Sequence, residues 1–294
     1  MKSNNSILLV VSFCMVACVS TKRSYSPEES DDFIYDKSQS FAMNVVNGSL
    51  GFHNGIMDAR IAENADIKAD ALSKTADTYM GLMSNGIGGA LLGLLGSSHG
   101  EYPLNSGYGI YYVPIKDTSN QSIDESYNYV NSQIIKATET EYNIKYSHSI
   151  WTPGHSYEMI YEGSYCADLQ SKIYPNGKKV YTEKYMSKRN ITKINQCVRS
   201  GYNDISLMKF TTSTPKGQQG NYAVIGIKTM GWFSNLKITD QLDSNFYYIR
   251  PVSKINSAPF VYNDGKAWFF IKPESEVNES LSKDEVAKLF PKLF

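Results

Sequence analysis

Apolar and polar positions divide the chain into stretches of different period. Residues 41 to 98 carry no proline and are rich in Ala, Gly, Asn and medium-sized apolar residues, which favours helix. Gly48, Gly51 and Gly55 separate a short first helix near 37–47 from a longer second one. In the second, small or apolar residues recur at Ala62, Ala65, Ala69, Leu72, Ala76, Tyr79, Met83, Gly86, Ala90 and Gly93, in alternating steps of three and four that make a heptad seam. Glu63, Asp66, Lys68, Asp70, Lys74 and Asp77 lie off the seam. After Asp77 the charges stop, and the twenty residues from Tyr79 to Ser98 are uncharged.

Further along, Ser122-Ile123-Asp124-Glu125 has the spacing of a capping box. Ile123, Tyr127, Val130, Ile134 and Ala137 then mark one face of a helix running to about Thr140. A short strand is expected at 109–115. From Tyr142 to Lys272 the period becomes two, with strands expected at 143–151, 157–165, 169–174, 179–186, 205–212, 221–233, 246–252 and 267–271. Pro175-Asn176-Gly177 and Asn263-Asp264-Gly265 read as hairpin turns. Ser282-Lys283-Asp284-Glu285 is a second capping box, with Leu281 and Val286 at the staple positions of a terminal helix over 283–290. The pattern as a whole is α+β: an N-terminal Ala/Gly-rich helical region, then an antiparallel sheet packed on two capped helices.

The first residues follow a different logic. Lys2 precedes a largely apolar run from Ile7 to Val16, about half the length a transmembrane span needs, and polar Ser20 to Arg23 follow. This is the layout of a secretory signal. Met15-Val16-Ala17-Cys18 resembles the lipobox of bacterial lipoproteins, with Met15 where the family usually has Leu. The resemblance implies cleavage after residue 17, a diacylglycerol on the Cys18 thiol and a stable membrane anchor. Val19 is not the aspartate of inner-membrane retention in enteric-type sorting, so an outer-membrane address is expected, with the body in the periplasm or at the cell surface. Residues 18–40, rich in Ser, Thr, Pro and charge, read as a lipidated tether reaching on the order of 25 Å. The boundaries expected are 1–17 signal, 18–40 tether, 41–98 helical region and 99–294 α+β domain.

That assignment bears on the cysteines. Of four, Cys14 leaves with the signal and Cys18 is acylated, so Cys166 and Cys197 remain to form a disulfide in an oxidising compartment. The 29 basic and 29 acidic residues cancel and give no electrostatic footprint for nucleic acid. Twenty-two tyrosines suit an exported β-rich domain, the favoured reading, although a glycan-binding surface would look similar.

The uncharged stretch also carries chemistry. Gly89 to Gly93 is a G-x-x-x-G, with Gly86 and Gly96 three residues outside it on nearly the same face, so another helix backbone can approach closely. It resembles the glycine-zipper segments of outer-membrane lipoproteins, which implies a homo-oligomer or an envelope partner, with a membrane-inserted or internally buried helix as the alternatives. A nucleotide loop at Gly86-Ile87-Gly88 fails, because Leu91 replaces the last glycine and no strand precedes it. His53, His99, His148 and His155 match no zinc spacing, and His148 and His155 near Glu158 and Glu162 make a poor metal site. Glu158 and Glu162 share one side of a strand and are expected to be solvated. No catalytic signature, metal site or cofactor motif is found. The reading is a non-enzymatic, outer-membrane-anchored lipoprotein that assembles through its small-residue helix. The alternative is a periplasmic ligand-binding domain, for glycan or peptidoglycan, or a hydrolytic one.

Overall fold

The computed structural model describes residues 34–50, 58, 108–152, 156–228, 236–250, 260–270, 273 and 280–289. The seam after Ala62 and the segment 79–98 lie outside these residues. The protein is α+β, with an antiparallel seven-stranded sheet, a three-stranded sheet and a long helix packed between them.

In chain order the elements are α1 (Phe41–Leu50), β1 (Tyr108–Pro114), α2 (Asn120–Tyr142), β2 (Lys145–Thr152), β3 (Ser156–Glu162), α3 (Ser164–Ser171) and α4 (Glu183–Lys188). There follow β4 (Gln196–Tyr202), β5 (Asp204–Ser213), β6 (Gln219–Lys228), α5 (Leu236–Thr239), β7 (Phe246–Arg250), β8 (Phe260–Asn263), β9 (Lys266–Phe269), β10 (Ser280–Ser282) and α6 (Lys283–Leu289). The large sheet runs β10-β9-β8-β7-β1-β6-β5 and the small one β2-β3-β4.

β1 lies in the middle of the large sheet, and its alternation assigns the two faces. Tyr111 and Val113 join the core shared with Val130, Ile134 and Ala137 of α2 and Val286 of α6. Ile110 and Tyr112 point the other way, onto Phe41, Ala42, Val45 and Val46 of α1. A helix apolar on nearly all sides must be buried on nearly all sides, and α1 is: it touches β5, β8 and β9, strands far apart in the sheet order. Lys216, in the β5–β6 loop, lies 3.1 Å from Asp264, in the β8–β9 turn. Strands separated by four others meet in this way only if the sheet curls, and α1 fills the hollow. Breaks in register on β5, at Leu207/Lys209 and Thr211/Ser213, supply local bends.

α1 is fixed at both ends. The Ser40 hydroxyl accepts from Met43 N at 3.0 Å, and Asp58 accepts from Ser40 N and Oγ, each at 2.5 Å. Near its far end, Ser49 Oγ is 2.6 Å from Tyr112 OH.

Several expectations are corrected. α2 begins one turn before the expected box: Ser119 is its N-cap, accepting from Ser122 N at 3.3 Å, while Ser122 Oγ donates to Asp117 at 2.8 Å. The hydrogen bonds from Ser119, side chain first, and then Ser122 hold the Asp117 carboxyl down at about 2. The strands expected at 169–174 and 179–186 do not form; α3 takes Leu169 to Ser171 and α4 takes Glu183 to Met186. Tyr165 and Leu169, and Tyr181 and Tyr185, sit four apart, and one turn of helix uses that spacing as readily as a strand does. The Pro175-Asn176-Gly177 turn does close, with Gly177 N donating to Tyr174 O at 2.9 Å, but its arms amount to the single bridge Ile173–Lys179. β4 was not foreseen, because both its faces are buried and the alternation is lost. The sheet is also divided in two rather than continuous.

Other elements match their chemistry. Asp264 and Gly265 have φ of 51° and 72°, the two left-handed positions of a type I′ turn, between the β8 and β9 ends Asn263 and Lys266. At α6, Glu285 Oε2 accepts from Ser282 N at 2.9 Å and Ser282 Oγ at 2.8 Å, and Leu281 and Val286 are buried.

Candidate functional site

The small sheet carries the cysteines and the acidic pair. β3 ends at Glu162, Gly163 turns the chain, and α3 brings Cys166 inward to Cys197 on β4, its neighbour across the strand end. The two are joined by a disulfide, with Cα atoms 5.2 Å apart and both side chains fully buried. Gln170 Nε2 donates to Gln196 O beside it. The bridge fastens α3 to the sheet and encloses the Pro175 turn.

Glu158 is not solvated. It is 2 % exposed, and Arg189, in the turn after α4, grips it with Nε to Oε2 at 2.7 Å and Nη2 to Oε1 at 2.8 Å. The guanidinium also lies 3.8 Å over the Tyr185 ring. Both carboxylate oxygens are therefore used to hold α4 onto the outer face of the sheet, where Ile160, Ile191 and Val198 form a small apolar cluster. Glu162, four residues on, is half-exposed and pairs with Lys193 at 3.1 Å. His148 is on exposed β2, its Nδ1 3.1 Å from Ser147 Oγ. Among the described residues no cluster of His, Cys, Asp and Glu can hold a metal. Cys18, His53, His99, His155, Gly86, Gly89, Gly93 and Gly96 lie outside them.

Buried tyrosines supply the remaining polar chemistry. Tyr129 OH donates to Asp243 at 2.7 Å, pinning α2 to the turn before β7; burial, then the Asp243 carboxylate, pushes the phenol up to about 12. Burial likewise raises Tyr161 and Tyr248 to about 12. Such phenols stay protonated at neutral pH and act as donors, not bases. Tyr262 OH donates to Asp240 at 2.5 Å, and Lys283 at the start of α6 meets the same carboxylate at 2.6 Å.

Two open grooves lie on the large sheet. One, of about 430 Å³, runs between the end of β1 and the first turns of α2, lined by Pro114, Lys116, Ser122, Glu125 and Tyr129. Among the described residues its lining holds one acid, Glu125. The other, of about 540 Å³, is at the mouth of the curl: Tyr35, Phe41 and Trp268 face the β5–β6 loop at Thr214, Lys216 and Gln219. Trp268 lies 4.5 Å from the Phe41 ring, with Lys266 Nζ 5.8 Å from its centroid. Among the described residues no acid lines this second groove. Its parts come from residues 35, 41, 213–219 and 268, and no local sequence signal links them. The Glu158–Arg189 pair, 31 positions apart, has none either.

No family model matches the chain, and no curated protein or solved structure is significantly similar to it. Among the described residues no helix is long and apolar enough to cross a membrane.

Proposed function

We propose that the chain is an exported, lipid-anchored protein of the outer membrane whose disulfide-bonded α+β body has a non-enzymatic structural or interaction role. The observation that carries this reading is the Cys166–Cys197 disulfide. A lipobox that removes Cys14 and acylates Cys18 leaves two thiols, and those two are joined, as an oxidising compartment favours. The polar groups held within the two sheets support the interaction role over catalysis. Glu158 is bound on both oxygens by Arg189, and the raised phenols hold α2 and β8 to neighbouring turns. Assembly is assigned to 79–98, through Gly86, Gly89, Gly93 and Gly96.

Cell fractionation with intact-mass analysis of the mature N-terminus tests the anchor: a diacylated or triacylated Cys18 in the outer-membrane fraction is expected, and a mature chain starting elsewhere overturns it. Native mass with crosslinking tests assembly. A higher-order species lost on replacing Gly89 and Gly93 by Leu is expected, and a strict monomer overturns that part.

A further inference from the structure

We infer that the mouth of the curled sheet, bearing Ile34, Tyr35 and Trp268, docks on the lipid surface that holds the anchor; this rests on the proposed acylation of Cys18. Ile34 is sixteen residue steps from Cys18, so the lipidated sulfur lies within about 55 Å of this face whatever the path between. The chain therefore enters the body beside the groove, and the residues met there have the chemistry of a bilayer interface. Ile34 is 83 % and Tyr35 46 % exposed. Trp268 is half-buried against Phe41, exposed Lys266 lies 5.8 Å from its ring, and exposed Lys37 follows Tyr35 by two residues. Aromatic rings at headgroup depth with lysines reaching to phosphates are the combination that interfaces select.

The polar lining argues against a saccharide in the same groove. Thr214 Oγ1 accepts from Gln218 N at 3.3 Å inside its own hairpin, and the Lys216 ammonium meets Asp264 at 3.1 Å. Rings and aliphatic carbon dominate what is left to a ligand, which suits acyl chains and the glycerol region better than sugar hydroxyls. Trp151, 61 % exposed on β2 of the small sheet, serves as an internal control.

The full acylated protein, reconstituted into vesicles of phosphatidylethanolamine and phosphatidylglycerol doped with lipid brominated near the headgroup, gives the test. W151F/W232F leaves Trp268 as the reporter, and W232F/W268F leaves Trp151. Quenching of Trp268 about threefold greater than of Trp151 is expected. Where a tryptophan variant loses its near-ultraviolet signature, Ile34→Cys labelled with bimane replaces it; the new thiol is free because Cys18 is acylated and the other two are bridged. A bimane shielded from aqueous iodide by the vesicles supports docking.

Equal quenching of the two tryptophans, or an iodide-accessible bimane, overturns the inference. So does a Trp268 emission shift produced by soluble peptidoglycan fragments without lipid, which assigns the groove to glycan. Intact mass separates the two readings. Acylated protein with an unquenched Trp268 removes the docking alone, whereas an unacylated Cys18 removes the anchor and the docking together.

Discussion

The two sheets hold their covering helices by different means. On the large sheet, α1 lies in a hollow lined by Ile110, Tyr112, Val224, Tyr247, Ile249 and Val261, all fully buried, while α2 and α6 cover the opposite face. Burial on both faces suffices there, at about 25 cal/mol for each Å² of apolar surface removed from water. On the small sheet, Met159 and Tyr161 pack towards α2, but among the described residues the outer face fully buries just Ile160, Ile191 and Val198, with Ile150, Tyr185 and Met186 partly buried against them, beneath a cover of short helices and turns. A cover that thin buries too little to hold itself. Discrete links fasten both sides instead: the Glu158–Arg189 pair on the outer face and, on the α2 side, the disulfide that ties α3 to β4, with the Gln170–Gln196 contact and the Tyr181 OH to Val198 O bond at 3.3 Å beside it. A small sheet with a poor apolar cover is held by discrete links, each of which one substitution can remove.

The contrast breaks first at α1. Val46→Asp places a carboxylate in the hollow, where Val46 is fully buried. A loss of about 5 kcal/mol or more is expected, enough to leave the chain unfolded in far-ultraviolet circular dichroism. Wild-type-like melting of this variant removes the claim that α1 is the core of the curled sheet.

Alkali acts on both regions at once. Tyr248 of the large sheet and Tyr161 of the small one hold their protons more tightly folded, at about 12, than at the ordinary value near 10. A folded pKa above the unfolded one gives stability that is complete below pH 10 and drains as the pH climbs towards 12. Each phenol then loses roughly 2 kcal/mol by pH 12. Urea midpoints from pH 8 to 12, read with tyrosinate absorbance, check this. Midpoints flat to pH 12 mean that the phenols ionise freely in the fold.

Discrete links make more local predictions. Replacing Cys166 and Cys197 together by Ala, which opens a loop spanning 31 positions, is expected to lower stability by about 3 to 4 kcal/mol on the chain-entropy model. Amide exchange should speed up first in residues 164–196 and leave α1 protected. Uniform loss across the large sheet contradicts the division drawn above. Glu158→Ala leaves Arg189, 16 % exposed, without its partner and is expected to cost about 3 kcal/mol. Adding Arg189→Met should recover much of that loss, because an apolar pair leaves no buried charge. A double variant no better than the single one means that the carboxylate matters for something other than the pair.

What the sequence makes legible follows the same division. The α2 stripe, the α6 cap and the Asp264-Gly265 turn are local patterns, readable because each depends on residues within a few positions of one another. The cysteine pair is legible by elimination, if the proposed lipobox takes the other two. β4 is not, since burial on both faces erases the alternation that betrays a strand. α3 and α4 are too short for a helical period to separate from a strand's. The hollow around α1 is hidden for another reason: a short, uncharged, largely apolar helix announces that it is buried, but not against what. Glu158 reads as a surface acid because its partner arrives from 31 residues away in the sequence.

The smallest expected effect also tests whether the regions are independent. At α6, Glu285 accepts from both the Ser282 amide and its hydroxyl, so Glu285→Ala strands both donors. Ser282→Ala removes only the hydroxyl. About 1 kcal/mol is expected for the first and about half that for the second, read from urea midpoints at constant slope. Leu281 and Val286 remain buried in either variant and keep the helix docked. Because the cap and the disulfide share no partner, the Glu285→Ala loss should be the same, within about 0.5 kcal/mol, in oxidised and reduced protein. A larger change on reduction means that the flap on the small sheet reaches the end of the large one through the α2 core, and that the two regions unfold as one unit.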